Sequence, residues 1–149
     1  MLQMPNHPQH DQPAIVRRGA VAVIVRNDRL LIIRRSQQVV APGMYCFPGG
    51  GIEPGETEEQ AVIRELQEEL ACRIQPRRRI WESVSPWRVH LAWWLSDLDS
   101  SSTLTPNPLE VESVHWLTLQ EMATLPNQLE SNYRFLEAIS RGDVPLEMP

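Results

Sequence analysis

The 149-residue sequence contains no lysine, so all 14 of its basic side chains are arginines. This absence excludes chemistry that needs a lysine amine, such as a Schiff base or the lysine of a P-loop. The sequence also has only two cysteines, Cys46 and Cys72, which are too few for a framework of disulfides. We therefore expect a reducing compartment, with both thiols packed in the core.

The sequence also lacks a long apolar run. No stretch approaches the roughly 20 residues of a membrane-spanning helix, so we expect no membrane partner and a cytoplasmic location. The net charge of −5 argues against a basic surface for a nucleic-acid polymer. Residues 1–16 are polar and proline-rich, without the basic start and apolar stretch of a signal peptide. We predict a disordered tail over 1–16 and a single domain over 17–149.

Strand and helix patterns alternate along this domain. Runs of β-branched residues on either side of Asn27-Asp28 predict a hairpin. Three more strands are predicted over 73–85, 87–98 and 111–119. A helix is predicted near the end of the sequence, where Gly142 stops it. Strands that alternate with helices predict an α/β layered domain.

The central helix is predicted to begin after Thr57, an N-cap residue with Gln60 three positions later, as in a capping box. The pattern runs to about Ala71. At about 100° per residue, the apolar face is predicted to contain Val62, Ile63, Leu66 and Leu70. An adjoining face is predicted to carry three glutamates, Glu65, Glu68 and Glu69.

Carboxylates three or four positions apart on a helix repel each other, by about 0.2–0.5 kcal/mol per pair. Two interpretations of the three glutamates remain open. The first is a solvated acidic face, in which Glu69 pairs with Arg73 four residues later. The second is a site for a divalent cation, which takes carboxylate oxygens on one side and phosphate oxygens on the other. The second interpretation explains how an acidic surface could bind a pyrophosphate, because the cation lies between the two negative groups.

A glycine-rich loop precedes this helix in a distinctive spacing. Gly50 is followed by five residues and Glu56, then by seven residues and the segment RELQEE over 64–69. The pattern resembles the signature of the Nudix (MutT-like) hydrolases, G-x5-E-x7-R-E-U-x-E-E-x-G-U, in which U is aliphatic. The resemblance implies an α/β/α sandwich with a mixed, curved β-sheet.

The sequence departs from this signature at its last two fixed positions, where Ala71 replaces glycine and Cys72 replaces the aliphatic residue. A glycine at 71 would suit a left-handed helix terminus, where alanine costs roughly 1 kcal/mol. Because Ala71 follows the glutamates of the signature, we expect the departure to affect stability and not chemistry.

The resemblance also implies a function. It implies a pyrophosphohydrolase that cleaves a nucleoside diphosphate linked to another group by water attack on phosphorus, with Mg²⁺ or Mn²⁺ as cofactor. The implied metal ligands are the carboxylates of Glu65, Glu68 and Glu69 and the carbonyl of Gly50. Glu56 and Arg64 resemble the structural salt bridge of the family. The general base stays open between Glu68, Glu110 and Glu112.

The signature does not identify the group attached to the nucleotide. Pro86, 15 residues after Ala71, resembles the proline of ADP-ribose-hydrolysing members, so ADP-ribose or a nucleotide sugar is favoured. The candidate substrate contacts are Arg35, Trp87 and Arg88, although each could simply belong to a strand. A pyrophosphatase for modified nucleoside triphosphates and a non-catalytic nucleotide sensor remain alternatives.

The expected partner is a small nucleotide and not a nucleic-acid polymer. A homodimer is a further expectation, because family members are often dimeric. The strand with the sequence HLAWWL, residues 90–95, could supply the interface if it is exposed.

Overall fold

The computed structural model describes residues 17–85 and 88–148. The predicted tail over 1–16 lies outside the described residues, as do Pro86 and Trp87. In the described part, eight strands and three helices follow one another as β1 (Arg17–Val23), β2 (Val25–Arg26), β3 (Arg29–Arg35), β4 (Tyr45–Cys46), β5 (Gly49–Gly51), α1 (Glu58–Leu70), β6 (Ile74–Val84), β7 (Val89–Leu98), β8 (Val111–Leu117), α2 (Leu119–Thr124) and α3 (Glu130–Ser140).

The strands form two sheets. The first is mixed, with the order β5-β1-β7-β6, and only β1 and β7 run parallel within it. In the second sheet β3 pairs antiparallel with β2, β4 and β8. The hairpin predicted at Asn27-Asp28 joins β2 to β3, and these residues have positive φ angles of 52° and 65°. Such angles are those of a two-residue turn, and the prediction is confirmed.

Side chains of β1 alternate between two hydrophobic cores, as the pleat of a strand requires. Ala20 and Ala22 pack on the side of α1, in an aliphatic core. Val21 and Val23 face the opposite side, where α2 and α3 pack. That second core is aromatic, with contacts among Phe47, Trp93 and Phe135. Helices on both sides of the sheets confirm the predicted α/β/α sandwich.

The start of α1 is the predicted capping box. The Thr57 hydroxyl accepts the Gln60 N–H at 3.1 Å, and the Gln60 side chain accepts the Thr57 N–H at 2.9 Å. The helix ends at Leu70, and Ala71 then has φ 53° and ψ 38°. Ala71 therefore occupies the left-handed conformation and carries the strain that a glycine would avoid.

The buried face of α1 differs from the prediction at Ile63. Val62, Leu66 and Leu70 are fully buried, but Ile63 is 42% exposed, so its assignment to the core was wrong. Glu69, by contrast, is only 6% exposed. Glu69 follows Val62 by seven residues. At about 100° per residue, its side chain lies within about 20° of Val62 around the helix axis and points towards the sheet. A carboxylate thus occupies part of the face that was expected to be purely apolar.

The tryptophan-rich strand is not an exposed edge. β7 lies between β1 and β6, and Trp93 is 1% exposed. The indole N–H of Trp94 donates to Glu58 at 2.8 Å, under the start of α1. The strand is therefore not the exposed edge on which the expected interface depended, and the homodimer stays a prediction. Both cysteines are buried, as predicted. Within 17–85 and 88–148, no helix is long and apolar enough to span a membrane.

Candidate active site

Three carboxylates converge near the end of α1. Glu65 and Glu69 come from the helix, and Glu110 comes from the loop before β8. One oxygen from each of them lies within 4.8 Å of the other two. We call this group the acidic cluster. Since Glu69 is buried, a solvated acidic face does not describe it.

Two members of the acidic cluster, Glu65 and Glu69, resist ionisation. Burial, together with the charges of Glu65 and Glu110, raises the pKa of Glu69 to about 9. The N–H of Gly49, which donates to Glu69 at 3.0 Å, only partly opposes this. Burial also raises the pKa of Glu65, despite its ion pair with Arg64 at 3.0 Å. Several carboxylate oxygens with too little positive charge around them fit a hard divalent cation such as Mg²⁺.

The glycine-rich loop makes room for this cluster. A Cβ atom on Gly50 would lie 2.4 Å from the Cδ atom of Glu65, so a side chain here would displace that carboxylate. A Cβ atom on Gly49 would lie 2.3 Å from the carbonyl oxygen of Ala20 in β1. The loop therefore needs glycine where it passes between β1 and α1.

Arg64 links the loop to the helix. Its Nε and Nη2 atoms donate to the two oxygens of Glu56 at 2.7 and 2.9 Å, and Nη2 also donates to the Gly51 carbonyl at 2.8 Å. Hydrogen bonding by Arg64 lowers the pKa of Glu56 to about 2. The structure thus brings together the two residues that the resemblance implies as a salt bridge, and their contacts are structural.

The third glutamate of the signature, Glu68, does not belong to the acidic cluster in this structure. Its side chain is 48% exposed and faces Arg64, with Nη1 of the arginine 3.3 Å away. Glu68 lies three residues beyond Glu65, which turns it about 60° further from the sheet. It lies at the solvent edge of the site.

Glu110, just before β8, and Glu112, in β8, have different surroundings. Glu110 belongs to the acidic cluster, whereas Glu112 pairs with Arg34 at 3.1 Å. Gln37 also donates to Glu112, at 3.5 Å. The pairing of β8 with β3 shifts register between Arg34 and Arg35, so Glu112 lies opposite an irregularity of the ladder. Glu112 therefore pairs with a cation of the chain itself, whereas Glu110 forms no ion pair with any residue of 17–85 or 88–148.

A cavity of about 120 Å³ lies beside Gly49 and Gly50, and its lining includes Arg35, Cys46, Phe47, Trp93 and Asn132. Arg35 is the candidate substrate contact that this cavity contains. Arg88 is exposed and its N–H donates to the Ser85 carbonyl at 2.9 Å, in the turn between β6 and β7. Trp87 lies outside the described residues. Sequence reasoning missed Phe47 and Asn132, because no local pattern connects a residue after β4 with one on α3.

The comparison with known families agrees with this geometry. The model of the NUDIX domain matches residues 16–139. The chain belongs to the Nudix family. Among the relatives of this Nudix domain is the NAD-capped RNA hydrolase NudC of Stutzerimonas stutzeri (strain A1501), 31% identical over 106 residues. That match covers 71% of this chain and 38% of NudC.

A second relative is the nucleoside triphosphatase NudI of Enterobacter sp. (strain 638), 30% identical over 128 residues that cover 72% of this chain and 86% of NudI. Among solved structures, the MutT protein from Methanosarcina mazei Go1 superposes with a TM-score of 0.73. It covers 86% of this chain and 95% of MutT at 19% identity, which shows the shared fold. The chain spans 38–45% of the length of the first NudC relatives.

Proposed function

We propose that this Nudix domain is a metal-dependent pyrophosphohydrolase. Its substrate is a nucleoside diphosphate linked to another group, and water attacks a phosphorus of the diphosphate. The acidic cluster carries the proposal, because one oxygen from each of Glu65, Glu69 and Glu110 lies within 4.8 Å of the others, and burial with the neighbouring carboxylates raises the pKa of Glu69 to about 9. Alone, such a cluster would repel a diphosphate. A divalent cation held by the carboxylates would attract the phosphate oxygens instead.

We propose Glu65, Glu69 and Glu110 as the principal ligands of Mg²⁺ or Mn²⁺. Glu68 and the Gly50 carbonyl remain further candidates, the former after its side chain leaves Arg64. A bound Mg²⁺ would stabilise the charge on the attacked phosphate and lower the pKa of a water molecule. Arg64 would keep the Glu65 side chain in place, since it donates to Glu65 at 3.0 Å.

A carboxylate must accept the proton that the attacking water loses. Glu68 is our first candidate, because it lies exposed beside the cluster and its ion pair with Arg64 is open to solvent. Glu110 is the second candidate, and Glu112 is the third because Arg34 and Gln37 already occupy its oxygens. Replacement of each by glutamine separates the roles. The variant that lacks the base loses kcat but retains its affinity for Mn²⁺, whereas the loss of a ligand lowers both.

The cavity beside Gly50 is the proposed location of the group that determines specificity, with Arg35 as a substrate contact. Arg88, in the turn between β6 and β7, is a weaker candidate, and Trp87, which lies outside the described residues, stays a prediction. ADP-ribose and nucleotide sugars remain the favoured class. Similarity to NudI supports nucleoside triphosphates as a second class. The similarity to NudC adds NAD-capped RNA, so the expectation that no polymer is bound needs a test.

A substrate panel tests the proposal. ADP-ribose, a nucleotide sugar, NADH, dinucleoside polyphosphates, coenzyme A, nucleoside triphosphates and NAD-capped RNA are incubated with Mg²⁺ in ¹⁸O-labelled water. We expect Mg²⁺-dependent cleavage of a phosphoanhydride bond, with one ¹⁸O atom incorporated into a product phosphate, as measured by mass spectrometry. Tight nucleotide binding without turnover of any compound would contradict the proposal and favour a nucleotide sensor.

A further inference from the structure

We propose that Asn107 is a positioning residue that holds the Glu110 side chain in the acidic cluster. The inference rests on the proposed function, because it concerns the orientation of one proposed metal ligand. Asn107 Nδ2 donates to Glu110 Oε2 at 3.2 Å. Asn107 Oδ1 accepts the N–H of Leu109 at 3.1 Å. The second bond determines which end of the amide is the oxygen, so the NH₂ group faces Glu110.

The main chain of Asn107 also connects the loop to α1. Its N–H donates to the carbonyl of Glu69 at 2.8 Å, and the N–H of Thr105 donates to the carbonyl of Leu70 at 2.8 Å. These carbonyls are among the last of the helix, which have no partner within it. Asn107 therefore contacts two members of the acidic cluster, the main chain of Glu69 and the side chain of Glu110. Asn107 thus fixes the position of the Glu110 side chain relative to the main chain of Glu69.

Ser36 also holds the loop before β8, but its hydrogen bonds reach only main-chain carbonyls of that loop. Its N–H donates to the Glu110 carbonyl at 3.0 Å, and its hydroxyl donates to the Leu109 carbonyl at 2.9 Å. Ser36 is 4% exposed, so these bonds are shielded from water. The direction of the Glu110 side chain is left to Asn107, whose side chain is the one that donates to Glu110 within the described residues.

A neutral amide suits this task better than a cation would. The amide of Asn107 orients the Glu110 carboxylate but does not neutralise it, so the negative charge remains available to a metal ion. Glu112 illustrates the contrary arrangement, because the guanidinium of Arg34 lies 3.1 Å from it and balances its charge. Gln37 also donates a neutral amide to Glu112, so the guanidinium of Arg34 is what distinguishes Glu112, which we do not assign to the metal, from Glu110.

The affinity for Mn²⁺, measured by electron paramagnetic resonance without substrate, tests the inference. Asn107→Ser retains an oxygen that can accept the Leu109 N–H but is too short to reach Glu110. We expect it to weaken Mn²⁺ binding about 10-fold, as is typical for residues that orient a ligand. Combined with Glu110→Gln, it should cause no further loss, because the residue through which it acts is already changed.

Gln37→Ser is the matched control, since it removes the amide that donates to Glu112, the neighbouring glutamate in β8, at 3.5 Å. We expect it to leave the Mn²⁺ affinity unchanged. The thermal midpoint of each metal-free variant checks that it is folded. If Asn107→Ser does not fold, Asn107→Gln replaces it, because this variant keeps the amide but displaces it by one methylene group, and the same 10-fold loss is expected.

The outcomes separate this inference from the proposed function. Unchanged Mn²⁺ affinity in Glu110→Gln would remove Glu110 from the metal site and overturn both. Weakened binding in Glu110→Gln with no effect of the Asn107 variant would overturn only the positioning role. An Asn107 variant that weakens binding equally with and without Glu110→Gln would also overturn it, because the effect would then not pass through Glu110.

Discussion

The two ends of α1 surround a buried glutamate in opposite ways. At the start of the helix, Glu58 accepts hydrogen bonds from Arg79 at 3.0 Å and from Trp94 at 2.8 Å. Towards the end of the helix, Glu65 and Glu69 lie against the carboxylate of Glu110. The side chains of Glu58 and Glu65 are almost equally exposed, at 11% and 12%. Arg64 also donates to Glu65, so the two sites differ in the further carboxylates, Glu68 and Glu110, whose charges add to the effect of burial on the pKa of Glu65.

The charge states follow from these neighbours. Burial opposes the ionisation of Glu58, but the hydrogen bonds from Arg79 and Trp94 outweigh it and lower its pKa. Burial, together with the charges of its carboxylate neighbours, raises the pKa of Glu69 to about 9. Two arginines, Arg18 and Arg79, pair with Glu58 at the first end. At the second end Arg64 pairs with Glu65, but among the described residues no arginine forms an ion pair with Glu69. A buried glutamate that is balanced by arginines is part of the structure, whereas one that is not balanced marks a site for an external cation.

The largest expected effect is that of Glu69→Gln on catalysis. Loss of a metal ligand should lower kcat about 10³-fold, equivalent to ~4 kcal/mol in the activation free energy. Glu58→Gln is the matched control on the same helix, and we expect its kcat to stay within about threefold of the wild-type value. Steady-state kinetics on a compound cleaved by the wild type provides the measurement. Equal losses of kcat in Glu69→Gln and Glu58→Gln would show that the two ends of α1 do not differ in function.

Mg²⁺ should stabilise the protein through one end of the helix only. At 100 times its dissociation constant, a ligand of the folded state adds about 2.7 kcal/mol to the free energy of unfolding. For a chain of this length that corresponds to a rise in Tm of about 5–10 °C. We expect this rise in the wild type and in Glu58→Gln, but not in Glu69→Gln. Differential scanning calorimetry with and without Mg²⁺ distinguishes them, and a full rise in Glu69→Gln would exclude Glu69 as a ligand.

Glu58→Gln should instead lower the stability of the metal-free protein, by about 1–2 kcal/mol at pH 7. Hydrogen bonds to charged groups contribute more than this when buried, but Arg79 and Arg18 are 40% and 53% exposed. Because folding lowers the pKa of Glu58, its contribution is present above the ordinary value of 4.5 and is lost as the pH falls below it. Urea unfolding at pH 7 and pH 3 measures the difference, which should shrink at pH 3. A constant difference would contradict the ion-pair explanation.

The smallest expected effect concerns the end of the helix itself. Ala71→Gly should relieve the strain of the left-handed conformation and stabilise the protein by about 0.5–1 kcal/mol, or ~1–4 °C in Tm. We expect kcat to be unchanged, because residue 71 follows the acidic cluster. Thermal unfolding and kinetics on the same preparation check both parts. A changed kcat would show that the helix terminus and the acidic cluster are coupled.

Features that depend on short stretches of the chain could be predicted from the sequence. The capping box of Thr57 and Gln60 and the turn at Asn27-Asp28 involve residues at most three positions apart, so local chemistry decides them. The signature glutamates could also be recognised from their spacing. The directions of these side chains could not be predicted, because the helical pattern placed Ile63 on the apolar face and Glu69 on the adjoining face. The sheet accepts Glu69 because a donor, the Gly49 N–H, meets it there.

Features that depend on packing between distant segments could not be predicted. The sequence offered Glu110 and Glu112 as equal alternatives. The choice between them depends on the bonds from Thr105 and Asn107 to the last carbonyls of α1, and on the shift in pairing beside Arg35. Trp94 likewise lies in a strand whose neighbour on one side, β1, comes from a distant part of the chain, and its indole N–H donates to Glu58 of α1. These contacts have no signature in the segments that make them.

The contact between Gly50 and Glu65 gives the site a steric control as well as an electrostatic one. A single added methyl group at residue 50 would occupy the space of the Glu65 carboxylate, 2.4 Å from its Cδ atom. The Glu65 carboxylate lies at the end of a flexible side chain and can move away, so the fold need not change. Gly50→Ala could therefore give an inactive form that keeps every charged side chain. Such a form would separate the effect of the shape of the site on substrate binding from the effect of its charge.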